Sequence, residues 1–210
     1  MLKLIGEELR HHAPFTLVGA IIGTLIALAA QKLPKEILNT AFYVLHPAHV
    51  FLSAVAMTSM YQLRRCTMGH HACSFWVLLA FGGIGSISLA TLSDSVIPFI
   101  SEGFLGMPHA HLHLGFVEKW WVINPIALAG VTVAYLRPAT KVPHAGHVLV
   151  STWASLLHIM MAMGAALTLV QVGGMVVFLF IAVWFPCCLS DIVFPLLFVK
   201  DRNAHTPHAH

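Results

Sequence analysis

The residues best suited to chemistry in this chain come in two kinds, and each kind comes twice. HPAHV (His46 to Val50) and HAGHV (His144 to Val148) each place two histidines three apart. LSDSVIP (Leu92 to Pro98) and LSDIVFP (Leu189 to Pro195) each place an aspartate after a serine and four residues before a proline. Residues three apart on a helix share a face, with Cβ atoms about 5–6 Å apart. An HxxH pair can therefore set two imidazoles on one ion. Pro47 follows His46 and Pro143 precedes His144, and proline favours the first helical turn. Each pair is expected near a helix start, where the dipole lowers the imidazole pKa and keeps the ring in its neutral, ligating form.

The aspartates stand in apolar surroundings. A carboxylate in mid-span costs roughly 2.5–3.5 kcal/mol on an insertion scale, so such residues face an interior and have a partner. Proline lacks an N–H and clashes with the carbonyl four residues back. For Pro98 that carbonyl belongs to Asp94, and for Pro195 to Asp191. Each proline is expected to bend or break its helix and free a backbone oxygen beside a carboxylate, with Ser93 or Ser190 adding a hydroxyl. The candidate ligands are His46, His49, Asp94, His144, His147 and Asp191. Imidazole with carboxylate suits zinc, iron or manganese, and also cobalt or nickel. Secondary candidates are His158, three turns past His147, and His113 beside Glu118.

These residues need a scaffold, and the composition names its class. Of 210 residues, 58% are hydrophobic and 9% charged, against about 25% charged in a soluble domain. That balance predicts an all-α polytopic membrane protein, since a span needs about 20 apolar residues. The small net charge of +3 carries no nucleic-acid signature. Cys66, Cys73, Cys187 and Cys188 do not read as a secreted disulfide framework. CTMGHHAC (Cys66 to Cys73) gathers two cysteines and two histidines but matches no standard zinc spacing.

Six spans are predicted, at 14–31, 42–63, 74–100, 119–136, 144–170 and 174–199. An interfacial helix over 1–13 precedes them. A His-containing loop over 101–118 divides them, and a His-rich, disordered tail over 200–210 follows. One side of this arrangement carries eight Lys and Arg and the other three. The positive-inside rule then sets both termini in the cytoplasm, as expected for a multi-pass protein of a cell inner membrane. Trp76, Trp120 and Trp121 sit near span ends as interface anchors.

The paired motifs recur in order and at nearly equal separation. His46 to Asp94 is 48 residues and His144 to Asp191 is 47. Ser53 and Ala56 are matched by Ser151 and Ala154, and Pro14 and Gly19 have the spacing of Pro125 and Gly130. The expected fold is two repeats of three helices, 14–100 and 119–199. An odd number of crossings inverts the second copy, as in many secondary transporters. The two ligand sets either sit at opposite mouths or converge on one binuclear centre.

The expected function is a small secondary transporter of a divalent transition metal, coupled to protons through histidines that titrate near neutrality. The alternative is an integral-membrane metalloenzyme with a mono- or dinuclear His/Asp centre acting on a lipid or other apolar substrate. A bis-histidine haem subunit and an assembly subunit of a larger complex are further alternatives. Expected partners are the metal ion, membrane lipid and a second copy in a homodimer.

Overall fold

The computed structural model describes residues 2–63, 74–139, 141–164 and 167–188. Asp191, Ser190, Pro195, the Cys66 to Cys73 segment and the tail over 200–210 lie outside the described residues. The described residues form helices joined by short connections, with no strand among them. The elements are α1 (Leu2–Ala29), α2 (Lys35–Tyr61), α3 (Phe75–Phe104), the single turn α4 (Gly115–Glu118), α5 (Trp120–Leu136), α6 (Lys141–Ala162) and α7 (Leu169–Cys188).

Four of these helices are long and apolar enough to cross a membrane: Lys35–Tyr61, Phe75–Phe104, Ala145–Ala162 and Leu169–Cys187. Two shorter apolar stretches, Ala13–Ala29 and Trp120–Leu136, accompany them. The polarity of the bundle is inverted relative to a soluble protein. Phe15, Ile22, Leu25, Leu128 and Val177 face outward, while Thr24, His46, Asp94, Ser151 and His158 are buried. Trp76, Trp120 and Trp121 are exposed, consistent with anchoring at an interface. Helix α1 runs through Pro14 without interruption, so no break marks the expected boundary at residue 13.

Helix α2 is central and packs most extensively on α6 and α5, while α1 packs on α7. The contacts along α2 and α6 fix their relative direction. Phe42 meets His158, His49 meets His147, and Leu52 lies against Gly146. Beyond them Ser59 Oγ accepts the Ala139 N–H at 3.0 Å. As the α2 numbers rise, their partners' numbers fall, so the helices run antiparallel. Helix α5 closes on α2 because Gly130 has no side chain. A Cβ there would stand 2.7 Å from the Phe51 carbonyl oxygen, too near for any other residue.

Helix α3 is continuous but contains two π turns, Leu79–Ile84 and Leu92–Val96. In the first, Gly82 makes room for Thr58 of α2, and a Cβ at Gly82 would collide with it. The second holds Asp94. There the Ile97 N–H reaches back five residues to the Leu92 carbonyl, and Val96 and Ile97 keep helical dihedrals. The expected break at Pro98 is thus replaced by a widened turn. The wider turn relieves the clash between the proline ring and the carbonyl four residues earlier. Such π turns recur at functional sites.

Candidate metal centre

His46 and His49 lie in the middle of α2, not at a helix start as expected. The segment before them (EILNTAFYVL) forms helix on its own account, and Pro47 is accommodated in the helix interior. Interior prolines are tolerated in membrane helices because neighbouring groups satisfy the freed backbone atoms. The second pair does follow the expectation, since α6 begins at Lys141 and Pro143 falls in its first turn. His144 therefore stands one turn before His147, and its side chain lies outside the described ones.

Helix α3 brings Asp94 between the two α2 histidines. His46 Nδ1 is 2.9 Å from Asp94 Oδ2, and His49 Nδ1 is 2.8 Å from Oδ2 and 3.0 Å from Oδ1. All three side chains are buried. A ring nitrogen this close to a carboxylate donates its proton to it, which leaves the lone pair of each neutral imidazole on Nε2. Asp94 is therefore an orienting carboxylate rather than a third ligand on the same ion. This is how ligating histidines are commonly held, with one nitrogen on a carboxylate and the other turned to metal. His46 Nε2 is buried and has no hydrogen-bond partner among the described residues. It faces Gly115, where a Cβ would lie 2.7 Å from it. The missing side chain makes room for the imidazole ring.

The second half of the chain joins the site through His147. Its ring stacks on His49, centroids 5.7 Å apart and planes within 4°. Cys187 completes the group. A ligand atom from each of His49, His147 and Cys187 lies within 4.8 Å of the other two, and all three residues are buried. Around tetrahedral zinc, with bonds of about 2.0–2.3 Å, ligand atoms stand about 3.3–3.8 Å apart. Closing this triad on an ion takes movements of about 1 Å. The donors fit a borderline-soft cation, and the sulfur favours zinc over manganese.

Ser93 serves a different purpose from the one expected. Ser93 Oγ donates to the Ala182 carbonyl at 2.7 Å and accepts from Ser151 Oγ at 2.6 Å, and Ser155 Oγ donates to the Ser93 carbonyl at 3.0 Å. Ser93 thus braces α3 against α6 and α7 beside the centre. Met57, Met160, Met161 and Met163 are buried in the packed interior.

Cys187 was not singled out by sequence reasoning, because a cysteine in an apolar run reads as a small buried hydrophobe. The available signal is its spacing, one helical turn before Asp191 in the sequence. Glu102 falls in the expected His-containing loop over 101–118 but belongs to helix α3, which continues to Phe104. It is fully buried and accepts the His158 Nδ1–H at 2.7 Å. Its signal is periodicity, since Asp94, Pro98 and Glu102 fall four apart on one helical face.

Of the secondary candidates, His158 thus pairs with Glu102, while His113 and Glu118 form a separate, shallower group. Tyr43 donates a hydrogen bond to Glu118, and the Leu114 N–H reaches Glu118 Oε1 at 3.0 Å. Burial alone would raise the Glu118 carboxyl. The hydrogen bonds from Tyr43 and Leu114, with His113 nearby, outweigh it and hold the group below its usual range. His113 is shifted down by burial first and by His158 second. An open pocket of about 470 Å³ lined by Tyr43, His113, Glu118 and Lys119 lies over this group.

No protein-family model matches this sequence, and no curated protein or solved structure matches it either.

Proposed function

We propose that this protein is a small secondary transporter of a divalent transition metal, zinc foremost, built of six spans in two inverted three-helix repeats. The observation that carries the proposal is the stacking of His49 on His147 across antiparallel helices. These residues match in the sequence repeat, 98 positions apart. A two-fold axis relating two copies must pass where a residue touches its own counterpart. Here that point is also where the candidate ligands gather. Substrate sites near the middle of the membrane, at the junction of inverted repeats, are the rule for such transporters.

Three further features support the reading. The contacts from Phe42–His158 to Ser59–Ala139 describe antiparallel helices from the two halves. The two shorter apolar stretches, Ala13–Ala29 and Trp120–Leu136, are the first spans of their respective repeats. The Lys and Arg count favours cytoplasmic termini and an inner-membrane location. Asp191 is assigned, by sequence match alone, the role toward His144 and His147 that Asp94 has toward His46 and His49. Of the two arrangements open at the outset, convergence at one central place is favoured over separate sites at two mouths.

The test is zinc, iron and manganese uptake by proteoliposomes containing the full chain, with Asp94→Asn and Asp191→Asn alongside. Zinc uptake that falls at least tenfold in both variants supports the roles assigned. Uptake unchanged in both would reject them.

One observation favours the enzymatic alternative. Cys187 has Ala90 as its counterpart in the first repeat, so the ligand set is not symmetric, and a catalytic metal with an open position needs no symmetry. Tightly bound zinc that never crosses the bilayer, with turnover of an added lipid, would select that alternative. A Soret band in the visible spectrum would select haem.

A further inference from the structure

We propose that Glu102 and His158 form a proton-carrying site, separate from the metal centre, through which metal movement is coupled to protons. The proposal rests on the transporter reading above and names its coupling ion.

The pair is built as such a site would be. Glu102 lies on α3 and His158 on α6, both are buried, and their 2.7 Å bond joins Nδ1 to Oε1. One atom of the pair is left over. His158 Nε2 is buried without a hydrogen-bond partner among the described residues, while the His111 backbone N–H approaches the Glu102 carboxylate. With Nδ1–H donating to the carboxylate, the imidazole lone pair is on Nε2. A proton added there gives an imidazolium against a carboxylate, one positive charge more than before, and its release restores the starting state. Ionisable residues at membrane depth are commonly proton relays in transporters.

The surroundings connect this pair to one end of the bundle. From the 105–114 loop, His113 sets its ring edge on His158 at 5.4 Å, and His111 lies 4.7 Å from His113. From α2, the Tyr43 hydroxyl is 3.5 Å from His113 Nδ1 and bonded to Glu118 of α4. The Lys119 ammonium sits 5.5 Å above the Tyr43 ring. Helix α7 presents the neutral Gln171, which binds the Leu105 carbonyl at 3.0 Å. The route from the open pocket inward is therefore lined by groups that accept and donate protons. Burial and then His158 hold His113 below the usual histidine range.

Phe42 separates this pair from the metal centre. It is fully buried, with one contact to His158 at 5.5 Å and another to His46 at 5.4 Å. No hydrogen bond among the described residues crosses it. The repeat marks the same division. The sequence counterparts of His158 and Glu102 are Met60 and Val199, so the repeat does not generate a second pair of this kind.

The experiment uses the full chain in proteoliposomes with zinc outside and a pH-sensitive dye inside. Wild type should move protons as zinc moves. Glu102→Gln should carry zinc down its gradient at a rate within about threefold of wild type, while proton movement per zinc falls at least tenfold. Cobalt(II) bound at the metal centre gives a thiolate charge-transfer band through Cys187, and this band should persist in the variant as a check on its fold. If Glu102→Gln loses the band, His158→Gln carries the same comparison. A variant with wild-type protons per zinc would overturn the proposal. So would a variant whose zinc stoichiometry drops by one ion per chain, since the pair would then be a second metal station. Wild type that moves zinc without protons removes this proposal alone. Wild type that moves no zinc removes the transporter reading beneath it as well.

Discussion

Two histidine–carboxylate arrangements share this bundle, and they differ in what the rest of the chain does with them. Around Asp94, two imidazoles donate to one carboxylate, and the stacked partner His147 comes from the matching motif of the other half. At Glu102, a single imidazole of one half donates to a single carboxylate of the other, and neither residue has a counterpart of its kind in the sequence repeat, where Met60 and Val199 stand. The motif behind the first pairing thus recurs in the sequence, and the second pairing has no such recurrence. A cargo that must be reached from both sides suits a duplicated site. A group that exchanges with one side at a time has no need of a copy. Cys187 breaks the sequence match, because its position in the first motif is held by Ala90.

The largest effects should come from the centre. Cys187→Ser is expected to abolish the cobalt thiolate band and weaken zinc binding by more than about 100-fold, beyond the 10–100-fold typical of losing an orienting partner. Asp94→Asn is expected within that 10–100-fold range, because His46 and His49 keep their place but lose the group that fixes their protons. Competition titrations with a zinc chelator measure both. If Asp94→Asn proved worse than Cys187→Ser, Asp94 would have to be a ligand itself, and the division between orienting and binding groups would fail.

An intermediate effect is expected at Gly115. A Cβ there would lie 2.5 Å from His46 Cδ2, so Gly115→Ala must push the ring aside. Zinc affinity should fall by about tenfold, on the order of losing an outer-shell contact, while proton movement through Glu102 and His158 is unaffected. A Gly115→Ala protein with full affinity would show that His46 stands outside the metal's reach and only buttresses Asp94.

The smallest effect should appear at the pocket. The Glu118 carboxyl is held below its ordinary range by Tyr43 and Leu114. A depressed carboxylate stabilises the fold above its unfolded pKa, near 4.3, and that contribution is lost as pH falls through the lower, folded value. Amide exchange at Val117, Glu118 and Lys119, taken relative to the intrinsic rate at each pH, should be slow above about pH 5 and quicken below about pH 4, with the centre unchanged. Exchange that did not respond to pH would remove Glu118 as the clasp of the loop.

How much of this was legible beforehand follows from which residues are exceptional in an apolar chain. His46, His49, Asp94 and His147 stood out because polar residues in spans are rare and these came in matched sets. Their convergence was one of two open arrangements, since spacing fixes a helical face but not which faces meet. The expected helix start at His46 failed because proline marks a first turn in water, whereas a packed membrane bundle accepts it in a helix interior. The break at Pro98 failed for a related reason, as a π turn absorbs the clash while the helix continues. Cys187 and Glu102 were hidden by their neighbours, one in an apolar run and one at the edge of a charged loop.

X-ray absorption at the zinc edge of the purified full-length protein tests the central claim most directly. A metal centre joining the two halves through His49, His147 and Cys187 predicts one sulfur at about 2.3 Å and nitrogen or oxygen neighbours at about 2.0–2.1 Å. A shell of oxygen alone, or the same spectrum after Cys187→Ser, would contradict it.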